Sequence, residues 1–555
     1  MIKKIMKKRL AVCIAMGTTL ATASSTADVI NKEQSQLEAN LTTVQPEHMS
    51  IDKYAGYYYN GKVIADLPQV INQIWTGYLN SANGGKITYN FPKGNGLTGL
   101  YNNPKYGFTA GEGLSGFSES QKESTRESIQ LWDDIIAPSF IERGSKGADI
   151  QFANSDDPGQ AYAYYPEYGF TKAKGWKFFG DVFVATPAIN WTNNWLGFGG
   201  YGATTVIHEI GHTLGLSHPG AYNGSGATTY ADQAEYAQDS TQYAIMSYWG
   251  DQETSNQPFA FGIVDWSTGF YNNAQTPLVH DVLAAHQAYG ADPTTRADDT
   301  TYGWNSTAGR DVFDFTKNYF PYLTIYDAGG NDTLDMSGAN ASVFIDLESG
   351  SFSSGAASVP SDDVINARRQ AIADAGASVG PVTPGTSAFW QDLTTSAHEG
   401  FLAIETGVSG LGVTSHDNIS IAYGTIIENA IGSSERDYLK GNQVANVLTG
   451  NGGDDVLNGF AGADTYNGGE GADTFVFSNI ESGDVIADFT TGEDVIDLIA
   501  TGVSFTFVND TEFSNLAGEL RFADGVLSGD VDGDGLADLS IDLNGAVLSG
   551  GDLIL

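Results

Sequence analysis

A nine-residue repeat in the C-terminal part of the chain constrains the fold more than any other feature. Three of its positions stay in phase over five copies, which a glycine-rich linker would not maintain. They are a glycine (Gly432, Gly441, Gly450, Gly459, Gly468), an acid or amide five residues later (Asp437, Asn446, Asp455, Asp464, Asp473) and an apolar or aromatic residue two further on (Leu439, Leu448, Leu457, Tyr466, Phe475). This pattern predicts a parallel β-roll whose turns bind calcium and whose apolar residues point inwards.

The repeat also indicates which turns bind calcium best. The last three turns keep a glycine at the fourth position (Gly453, Gly462, Gly471), whereas the first two have Glu435 and Val444 there. We therefore expect the strongest sites in the last three turns. The predicted roll ligands are Gly450, Gly452, Asp455, Gly459, Asp464, Gly468 and Asp473.

A second acidic cluster lies near the C-terminus. Its candidate calcium ligands are Asp530, Asp532, Asp534 and Asp538. Alternate carboxylates of this kind open a calcium-binding loop. A polar turn with solvated acids is the alternative, because Ile541 stands where an EF-hand loop has its final glutamate.

Length and charge limit the classes of protein to which the chain can belong. Its 555 residues are too many for one hydrophobic core and predict two or three domains. The net charge of −41 disfavours nucleic acid and stable association with anionic membranes as partners, and it favours metal-binding carboxylates. Beyond the N-terminus, no segment approaches the roughly 18 consecutive apolar residues of a transmembrane helix.

The N-terminus has the features of a secretory signal. Residues 1–23 combine basic residues, an apolar stretch and Ala21-Thr22-Ala23 as a cleavage site. Cys13 is the single cysteine, so removal of this segment would leave no disulfide to stabilise the mature protein. Residues 24–50 are polar and unpatterned and are interpreted as a propeptide or a disordered arm.

Residues 51–290 carry mixed helix and strand signals. Ser118 precedes Gln121 at the spacing of a capping box, which predicts a helix. The runs ADIQFA, QAYAYYP and GDVFVA predict strands. The stretch TPLVHDVLAAHQAYG predicts a helix that is capped by Thr276 and ended by Gly290.

The stretch TTVIHEIGHTLGLSHPG, residues 204–220, holds three of the eight histidines of the chain. On a helix, His208 and His212 share one face, and Glu209 is offset but close enough to reach a water molecule there. Gly215 can end the helix by adopting a positive φ, so that His218 supplies a third imidazole. Three imidazoles with an open position are typical of a catalytic zinc site. The alternative, structural histidines on a surface helix, rarely reproduces all five fixed positions of this motif by chance.

This motif resembles that of the metzincin zinc endopeptidases. The stretch AIMSYW, residues 244–249, is similar to their Met-turn. GLSHPG, TIYDAGGNDTLDMSG and IENAIGSSERDYLKGNQVANVLTGNGGDDVLNG resemble the serralysin branch. The resemblance covers residues 50–358 and 417–555 and leaves 359–416 as an insertion of unknown role.

The resemblance implies an α+β, metzincin-type catalytic domain over 51–290. An all-β parallel β-roll or sandwich, carrying the secretion signal, would follow over 291–555. His208, His212 and His218 would bind zinc, joined by Tyr248 when no substrate is present. Glu209 would be the general base, Met246 the apolar floor and Tyr248 a stabiliser of the oxyanion. The alternative for Tyr248 is a buried aromatic that packs near Met246.

The resemblance further implies a calcium site between the two domains. Its ligands would be carbonyls or side chains of Arg296, Asp298, Thr300, Asp327, Gly329, Gly330, Asp332 and Glu428. The chain departs from the family at Asp298, where a glycine is usual, so the backbone of Asp298 would ligate rather than its carboxylate.

These features predict a secreted, zinc-dependent endopeptidase of broad specificity with a zinc-activated water as nucleophile. Extended polypeptides would pair with the QAYAYYP strand through backbone hydrogen bonds. The C-terminal GDLIL resembles the signal that a bacterial secretion apparatus reads in serralysins, which conflicts with the N-terminal signal, although both place the protein outside the cell. We expect a monomer.

Two alternatives remain open at this stage. One is a non-enzymatic calcium-binding RTX adhesin or surface protein with a relic zinc motif, which the intact Glu209 disfavours. The other is a peptidase of narrow specificity, because no feature of the sequence reveals a preferred side chain.

Overall fold

The computed structural model describes residues 50–59, 61–80, 85–93, 112–144, 148–166, 180–223, 229–250 and 264–555. The signal-like residues 1–23, and all but the last residue of the 24–50 segment, lie outside this range. In the described parts, helices and strands are mixed up to Gly290, and β-structure dominates beyond it. No helix in these parts is long and apolar enough to cross a membrane.

The α-helices of the described chain are α1 Leu67–Ile74, α2 Glu119–Asp133, α3 Tyr201–Thr213, α4 Tyr230–Gln233, α5 Val279–Tyr289, α6 Asp362–Ala375 and α7 Thr386–Thr406. The capping box predicted for α2 is confirmed, because Ser118 and Gln121 each accept a hydrogen bond from the backbone N–H of the other. The predicted end of α5 is also confirmed, with Gly290 at a φ of 77°.

The predicted N-cap of α5 is wrong. The helix begins after Leu278, not at Thr276. The carboxylate of Asp281 accepts the N–H of Leu278, whereas the hydroxyl of Thr276 accepts the N–H of Thr324 from the second half of the chain. A long-range contact has therefore taken the side chain that would otherwise cap the helix.

A five-stranded sheet forms the core of the first half, in the order β4-β3-β5-β7-β6. The strands up to residue 290 are β1 Tyr58–Tyr59, β2 Lys62–Val63, β3 Lys86–Asn90, β4 Ser139–Glu142, β5 Ile150–Ser155, β6 Ala161–Ala163, β7 Val182–Ala185, β8 Val264–Asp265 and β9 Phe270–Tyr271. The three predicted runs correspond to β5, β6 and β7. All neighbours are parallel except β6, which runs antiparallel to β7 at the edge of the sheet.

The second half consists mainly of short parallel strands. They are β10 Thr301–Gly303, β11 Leu323–Ile325, β12 Thr333–Asp335, β13 Phe344–Asp346, β14 Phe352–Ser353, β15 Ile419–Ile421, β16 Asn429–Ile431, β17 Tyr438–Lys440, β18 Val447–Gly452, β19 Val456–Asn458, β20 Thr465–Glu470, β21 Thr474–Val476, β22 Ser482–Ile486, β23 Val495–Asp497, β24 Thr506–Phe507, β25 Glu519–Ala523, β26 Val526–Asp530, β27 Leu539–Asp542 and β28 Leu553–Ile554. The orders β10-β12-β16-β18-β20-β22-β27-β26-β25-β24 and β13-β17-β19-β21-β23-β28 define its two large sheets. Antiparallel pairs occur at β25–β26 and β26–β27 in the first of these sheets, and at β14–β15 in a separate three-stranded sheet of order β11-β15-β14.

The nine-residue repeat is half of one turn of this roll. Leu439 pairs with Leu457 in one sheet, and Leu448 pairs with Tyr466 in the other, each pair parallel and in register. Successive copies therefore alternate between the sheets. The apolar position of every copy is buried in one core between them, as predicted: Leu439, Leu448, Leu457, Tyr466 and Phe475.

The 359–416 segment contributes α6 and α7 and packs against the first half of the chain. A Cβ added to Gly269 would lie 2.2 Å from the indole of Trp390, so this glycine allows α7 to approach closely. Arg369 of α6 donates a hydrogen bond of 2.7 Å to the carbonyl of Thr268. The segment is thus part of the folded body and not a free loop.

Candidate metal centre

Helix α3 carries the first three residues of the motif, and the turn after it supplies the last two, Gly215 and His218. Leu214 ends the helix, and Gly215 follows with a φ of 91°. A Cβ on Gly215 would lie 2.1 Å from the carbonyl oxygen of Tyr78, so both the backbone conformation and the available space require glycine. The chain reverses here and brings His218 back towards the face of the helix.

The three histidines converge on one point. Ring centroids are 4.8 Å apart for His208 and His212, 4.8 Å for His212 and His218, and 5.3 Å for His208 and His218. The Nε2 atoms of His208 and His218 are 3.3 Å apart. Zinc–nitrogen bonds of about 2.0–2.1 Å at tetrahedral angles separate two ligand nitrogens by roughly 3.3–3.4 Å. The spacing therefore fits a tetrahedral ion.

A backbone carbonyl orients each imidazole. Nδ1 of His208 lies 2.8 Å from the oxygen of Ile245, Nδ1 of His212 lies 2.7 Å from that of Leu216, and Nδ1 of His218 lies 2.8 Å from that of Tyr222. Because a carbonyl only accepts, each Nδ1 carries the hydrogen and each Nε2 keeps its lone pair for a metal.

Burial keeps these imidazoles neutral and leaves the neighbouring acid unpaired. It lowers the pKa of His208 to about 3 and that of His212 well below the usual range. Glu209 is buried, and its Oε2 has no hydrogen-bond partner among the residues that the structure describes. Desolvation raises its pKa to about 8. A cation at the histidines would favour the carboxylate form.

Met246, the predicted apolar floor, packs against helix α3 at Gly211, the residue before His212. It is fully buried, and a Cβ on Gly211 of α3 would lie 2.6 Å from its sulfur, so the glycine lets the turn approach the helix. Ile245, the residue before Met246, connects the Met-turn to the histidines. The Ile245 carbonyl faces His208, while its N–H donates a hydrogen bond of 2.6 Å to Asp281 of α5.

Tyr248 lies at the mouth of the site. Its ring centroid is 4.4 Å from that of His218 and 6.1 Å from that of His208. The side chain is 44% exposed, which does not fit a residue packed into the core next to Met246. Burial of its inner part raises the pKa to about 12, so the phenol is protonated at neutral pH and can donate a hydrogen bond.

Sequence reasoning missed several residues that hold the site in place. Asp281 fixes the Met-turn, and Asp239 accepts hydrogen bonds of 2.7 Å from the Tyr222 hydroxyl and 2.8 Å from the Ser247 hydroxyl. Tyr222 in turn supplies the carbonyl that orients His218. No local spacing marks these contacts, because each one joins separate elements.

The predicted calcium residues of the linking region come together around Asp332. Its Oδ1 accepts the N–H of Thr300 at 2.7 Å, its own N–H donates to Glu428 at 2.7 Å, and its Oδ2 is buried without a partner in the described structure. A Cβ on Gly330 would lie 2.9 Å from the carbonyl oxygen of Asp298. Burial raises the pKa of Asp332 to about 7.

The remaining members of this set lie close by. Asp327 accepts the N–H of Gly329 at 2.8 Å and the hydroxyl of Tyr302 at 2.6 Å. The guanidinium of Arg296 is paired with Asp134 at 2.7 Å, so only its backbone carbonyl is free to bind a metal ion.

In the roll, the repeat glycines make room for the repeat acids. A Cβ at Gly450, Gly459 or Gly468 would lie 2.1, 2.0 or 2.1 Å from Oδ2 of the acid five residues later. Those acids are Asp455, Asp464 and Asp473. Oδ2 of Asp455 and of Asp464 is buried without a partner among the described residues, so each could accept a cation as a ligand oxygen. Gly452 lies in the same turn but makes no such close approach.

The turns that are predicted to bind calcium most strongly also differ from the others in backbone conformation. Gly453, Gly462 and Gly471 have φ values of 111°, 129° and 133°, whereas Glu435 and Val444 are not among the residues with positive φ. Asp464 also forms a compact carboxylate group with Glu481 and Asp484, which sequence reasoning did not single out.

Near the C-terminus, the structure groups three of the four predicted acids. Asp530, Asp532 and Asp538 present oxygens within 4.8 Å of one another, whereas Asp534 does not join them. Asp534 accepts the N–H of Leu536 at 2.8 Å instead.

Comparison with known proteins adds two family matches. The family described as Peptidase M10 serralysin C terminal matches residues 291–380 and 387–555. The family described as Metallo-peptidase family M12B Reprolysin-like matches residues 187–266, which include the three histidines and the Met-turn.

Curated bacterial proteins are similar over most of the chain. Metallopeptidase AprA of Pseudomonas marginalis is 39% identical over 454 residues, covering 77% of this chain and 79% of its own length. Metalloprotease AprA of Pseudomonas entomophila (strain L48) is 38% identical, with coverages of 78% and 76%. Serralysin G of Dickeya chrysanthemi is 34% identical, with coverages of 77% and 75%.

Among solved structures, the solution structure of the AlgE6R3 subunit from the Azotobacter vinelandii mannuronan C5-epimerase is 28% identical to this chain. It covers 23% of this chain and 77% of its own, with a TM-score of 0.18. That score is too low to bear on the fold.

Proposed function

Because this chain belongs to the serralysin family of metalloendopeptidases, we propose that Glu209 is its general base and Tyr248 its oxyanion donor, at a zinc site formed by His208, His212 and His218. One observation carries this assignment: three imidazoles present their Nε2 lone pairs to a single point, beside a buried carboxylate whose Oε2 has no partner in the described part of the chain. A relic motif in an adhesin would not need to keep that carboxylate. The membership in a peptidase family likewise disfavours the adhesin hypothesis.

The donor set fits zinc. Three neutral imidazoles, each fixed by a carbonyl on the far side of the ring, match a catalytic site that keeps a position open for substrate. When bound, zinc supplies a Lewis acid that lowers the pKa of water towards about 7 and polarises a carbonyl.

Glu209 moves the proton. Its carboxylate takes a proton from the attacking water and delivers it to the nitrogen of the departing amine. Burial excludes bulk solvent from this carboxyl group, so the proton is passed on within the site instead of being lost to the surroundings. The same residue thus serves as base in the first half of the reaction and as acid in the second.

Tyr248 acts on the oxygen of the scissile carbonyl. Its phenol remains protonated at neutral pH, and its exposed position beside His218 lets it face a bound substrate. Donation of a hydrogen bond to the developing oxyanion would stabilise the transition state more than the ground state. In the absence of substrate, the same hydroxyl is the candidate fourth zinc ligand.

The edge strand β6 is the candidate substrate-binding strand. It pairs only with β7 within the described sheet, and Tyr165, just beyond it, contacts the ring of His212 with centroids 5.4 Å apart. An extended polypeptide added here would be held mainly through its backbone. We therefore propose broad specificity towards proteins and peptides.

Calcium is the proposed second cofactor. The Oδ2 atoms of Asp332, Asp455 and Asp464 are buried without a hydrogen-bond partner among the described residues, and carboxylate oxygens are the hard ligands that calcium prefers. We assign the sites to the linking region, to the last three turns of the repeat and, with Asp530, Asp532 and Asp538, to the C-terminal loop. Asp534 is not included, because its carboxylate lies outside that group.

We further propose that the protein is secreted as a monomer through a bacterial secretion apparatus that reads its C-terminus. Calcium is scarce in the cytosol and abundant outside, so the roll would fold after export. This route is tested by comparing export of the full-length chain with export of a variant that lacks the last five residues. N-terminal sequencing of the exported protein then shows whether the N-terminal signal has been removed. Export that is unchanged by the truncation would instead favour the N-terminal signal.

A peptide-library digest with the purified full-length mature protein tests the specificity. We expect cleavage of many unrelated peptides in calcium, loss of cleavage after chelation and its return with zinc. The Glu209→Ala variant is the matched control for contaminating peptidases. Cleavage confined to one sequence would indicate a narrow peptidase, and cleavage that persists in chelator would contradict a zinc enzyme.

A further inference from the structure

The segment that opens the described part of the chain places one carboxylate in the interior of the molecule. Asp52 lies in the 3₁₀ helix Ile51–Tyr54, and its side chain is only 4% exposed. Its Oδ2 lies 2.9 Å from Nε2 of His280 and accepts the hydroxyl of Tyr423 at 2.5 Å, while its Oδ1 accepts Nε2 of Gln238 at 2.7 Å. Three donors from separate parts of the chain therefore meet at this single carboxylate.

His280 connects Asp52 to the first of the three zinc histidines. The next residue of α5 is Asp281, which accepts the N–H of Ile245 at 2.6 Å. The carbonyl of Ile245 in turn accepts Nδ1 of His208 at 2.8 Å. A displacement of His280 would therefore reach His208 through one adjacent residue and two hydrogen bonds.

Gln238 connects Asp52 to the third histidine in the same way. The next residue, Asp239, accepts the hydroxyl of Tyr222 at 2.7 Å, and the carbonyl of Tyr222 accepts Nδ1 of His218 at 2.8 Å. Gln238 and Asp239 are both fully buried. The carbonyls that orient two of the three histidines are therefore held by acids that directly follow the partners of Asp52.

The third partner, Tyr423, belongs to the second half of the chain. It lies two residues after β15, and the residue that follows it is Gly424, which has no side chain to hold an orienting carbonyl. The contact of Tyr423 with Asp52 thus joins the roll to the N-terminal segment without the link to a histidine that the other two partners have.

We propose that Asp52 is a positioning residue of the zinc site. By holding His280 and Gln238, it fixes the two acids that keep the orienting carbonyls in place. This inference rests on the zinc site proposed above. Partners outside the ligands themselves orient metal-binding imidazoles, and their loss typically costs about 10–100-fold in metal affinity. Because Asp52 acts one contact further out, we expect an effect at the lower end of that range.

The Asp52→Asn variant removes this support with little change in shape. An asparagine side chain has one acceptor oxygen where aspartate has two. Whichever way the amide turns, His280 or Gln238 loses the carboxylate oxygen that holds it. Either outcome loosens one of the two connections to the histidines.

The test measures zinc affinity in the full-length chain, well below its Tm. Calcium-saturated Glu209→Ala protein, which does not digest itself, is titrated with zinc against a competing chelator. With Asp52→Asn added, zinc affinity should fall about tenfold, and the visible spectrum of Co²⁺ bound in place of zinc should change, since it reports ligand geometry. With Glu209 intact, kcat should fall at unchanged KM, because none of these contacts involves the edge strand β6.

Tyr423→Phe is the matched control, because it removes one hydrogen bond from the same carboxylate. It should lower Tm but leave the zinc affinity and the cobalt spectrum as they are in the parent. An equal loss of zinc affinity in Tyr423→Phe would overturn the proposal, because the effect would then be a general loosening. Parental affinity and spectrum in Asp52→Asn would overturn it as well.

If Asp52→Asn does not fold, Gln238→Met takes its place, since it removes one of the two connections. A lower zinc affinity in that variant would support the proposal, and parental affinity would overturn it. A parent protein that binds no zinc would refute the zinc site itself, which a comparison of variants that all bind zinc cannot do.

Discussion

Replacing Gly459 by alanine should weaken one calcium site of the roll without otherwise disturbing the backbone. Gly459 does not have the positive φ that alanine resists, so the effect is one of space. The new Cβ would lie 2.0 Å from Oδ2 of Asp464 and 2.5 Å from the hydroxyl of Tyr466. Because non-bonded atoms settle at roughly 3.5 Å, the carboxylate must retreat by about 1.5 Å.

A displacement of that size would remove the Asp464 carboxylate from the calcium ligands. Calcium–oxygen distances span only about 2.3–2.6 Å, so Asp464 would leave the coordination sphere while Glu481 and Asp484 remain. A loss of roughly 10–100-fold in calcium affinity is the scale expected for disturbing a metal ligand. At saturating calcium this removes about 1.4–2.7 kcal/mol of stabilisation and lowers Tm by roughly 3–10 °C.

Calorimetry in calcium and in chelator separates calcium binding from steric strain. The Gly459→Ala variant and the parent protein with which it is compared should both carry Glu209→Ala, which prevents self-digestion during heating. Gly400→Ala is the control: Gly400 is an exposed residue of α7, and a Cβ there meets nothing within 4 Å. A Tm decrease of equal size in calcium and in chelator would show that Gly459→Ala acts through strain alone and would refute the reasoning.

Four further outcomes follow from the proposed sites. Glu209→Ala should retain zinc while casein hydrolysis falls by roughly 10²–10⁴-fold; hydrolysis at the parental rate would disprove its role as base. Tyr248→Phe should lower kcat about 10²–10³-fold at unchanged Tm, whereas a lower Tm with normal kcat would indicate packing instead. Asp332→Ala should lower calcium affinity and Tm together, and a titration that shows neither effect would exclude that site. The 291–555 fragment should gain β-structure by circular dichroism on adding calcium, and equal ellipticity in chelator would contradict calcium-triggered folding.

The features that sequence reasoning predicted well are those set by neighbours along the chain. The nine-residue period predicted the roll, because each copy repeats the same turn and strand in the same environment. The capping box at Ser118 and the glycine after α5 were predicted for the same reason, since both depend on residues within one turn of a helix. The spacing of His208 and His212 on one helix face belongs to this class as well.

The features that were missed depend on residues far apart in sequence. His280 of α5 pairs at 2.9 Å with Asp52, which also accepts a hydrogen bond of 2.5 Å from Tyr423. Thr276 was assigned to a helix cap that it does not form, because Thr324 uses its hydroxyl. Neither contact follows a helical or strand period, because each joins residues that are far apart in the sequence.

The alternation of the repeat between two sheets has a consequence for how such a roll can change in length. A strand pairs with the one 18 positions away, and the N–H of Asp437 and of Asp455 each donates to the carboxylate one full turn further on, at 2.7 and 2.9 Å. Deleting one nine-residue copy would transfer every later strand to the opposite sheet and detach these hydrogen bonds from their partners. Loss or duplication of two copies would keep every later strand in its own sheet and would keep these hydrogen bonds. Gene rearrangements in this region should therefore be tolerated in even numbers of repeats, and engineered rolls should be lengthened in the same steps.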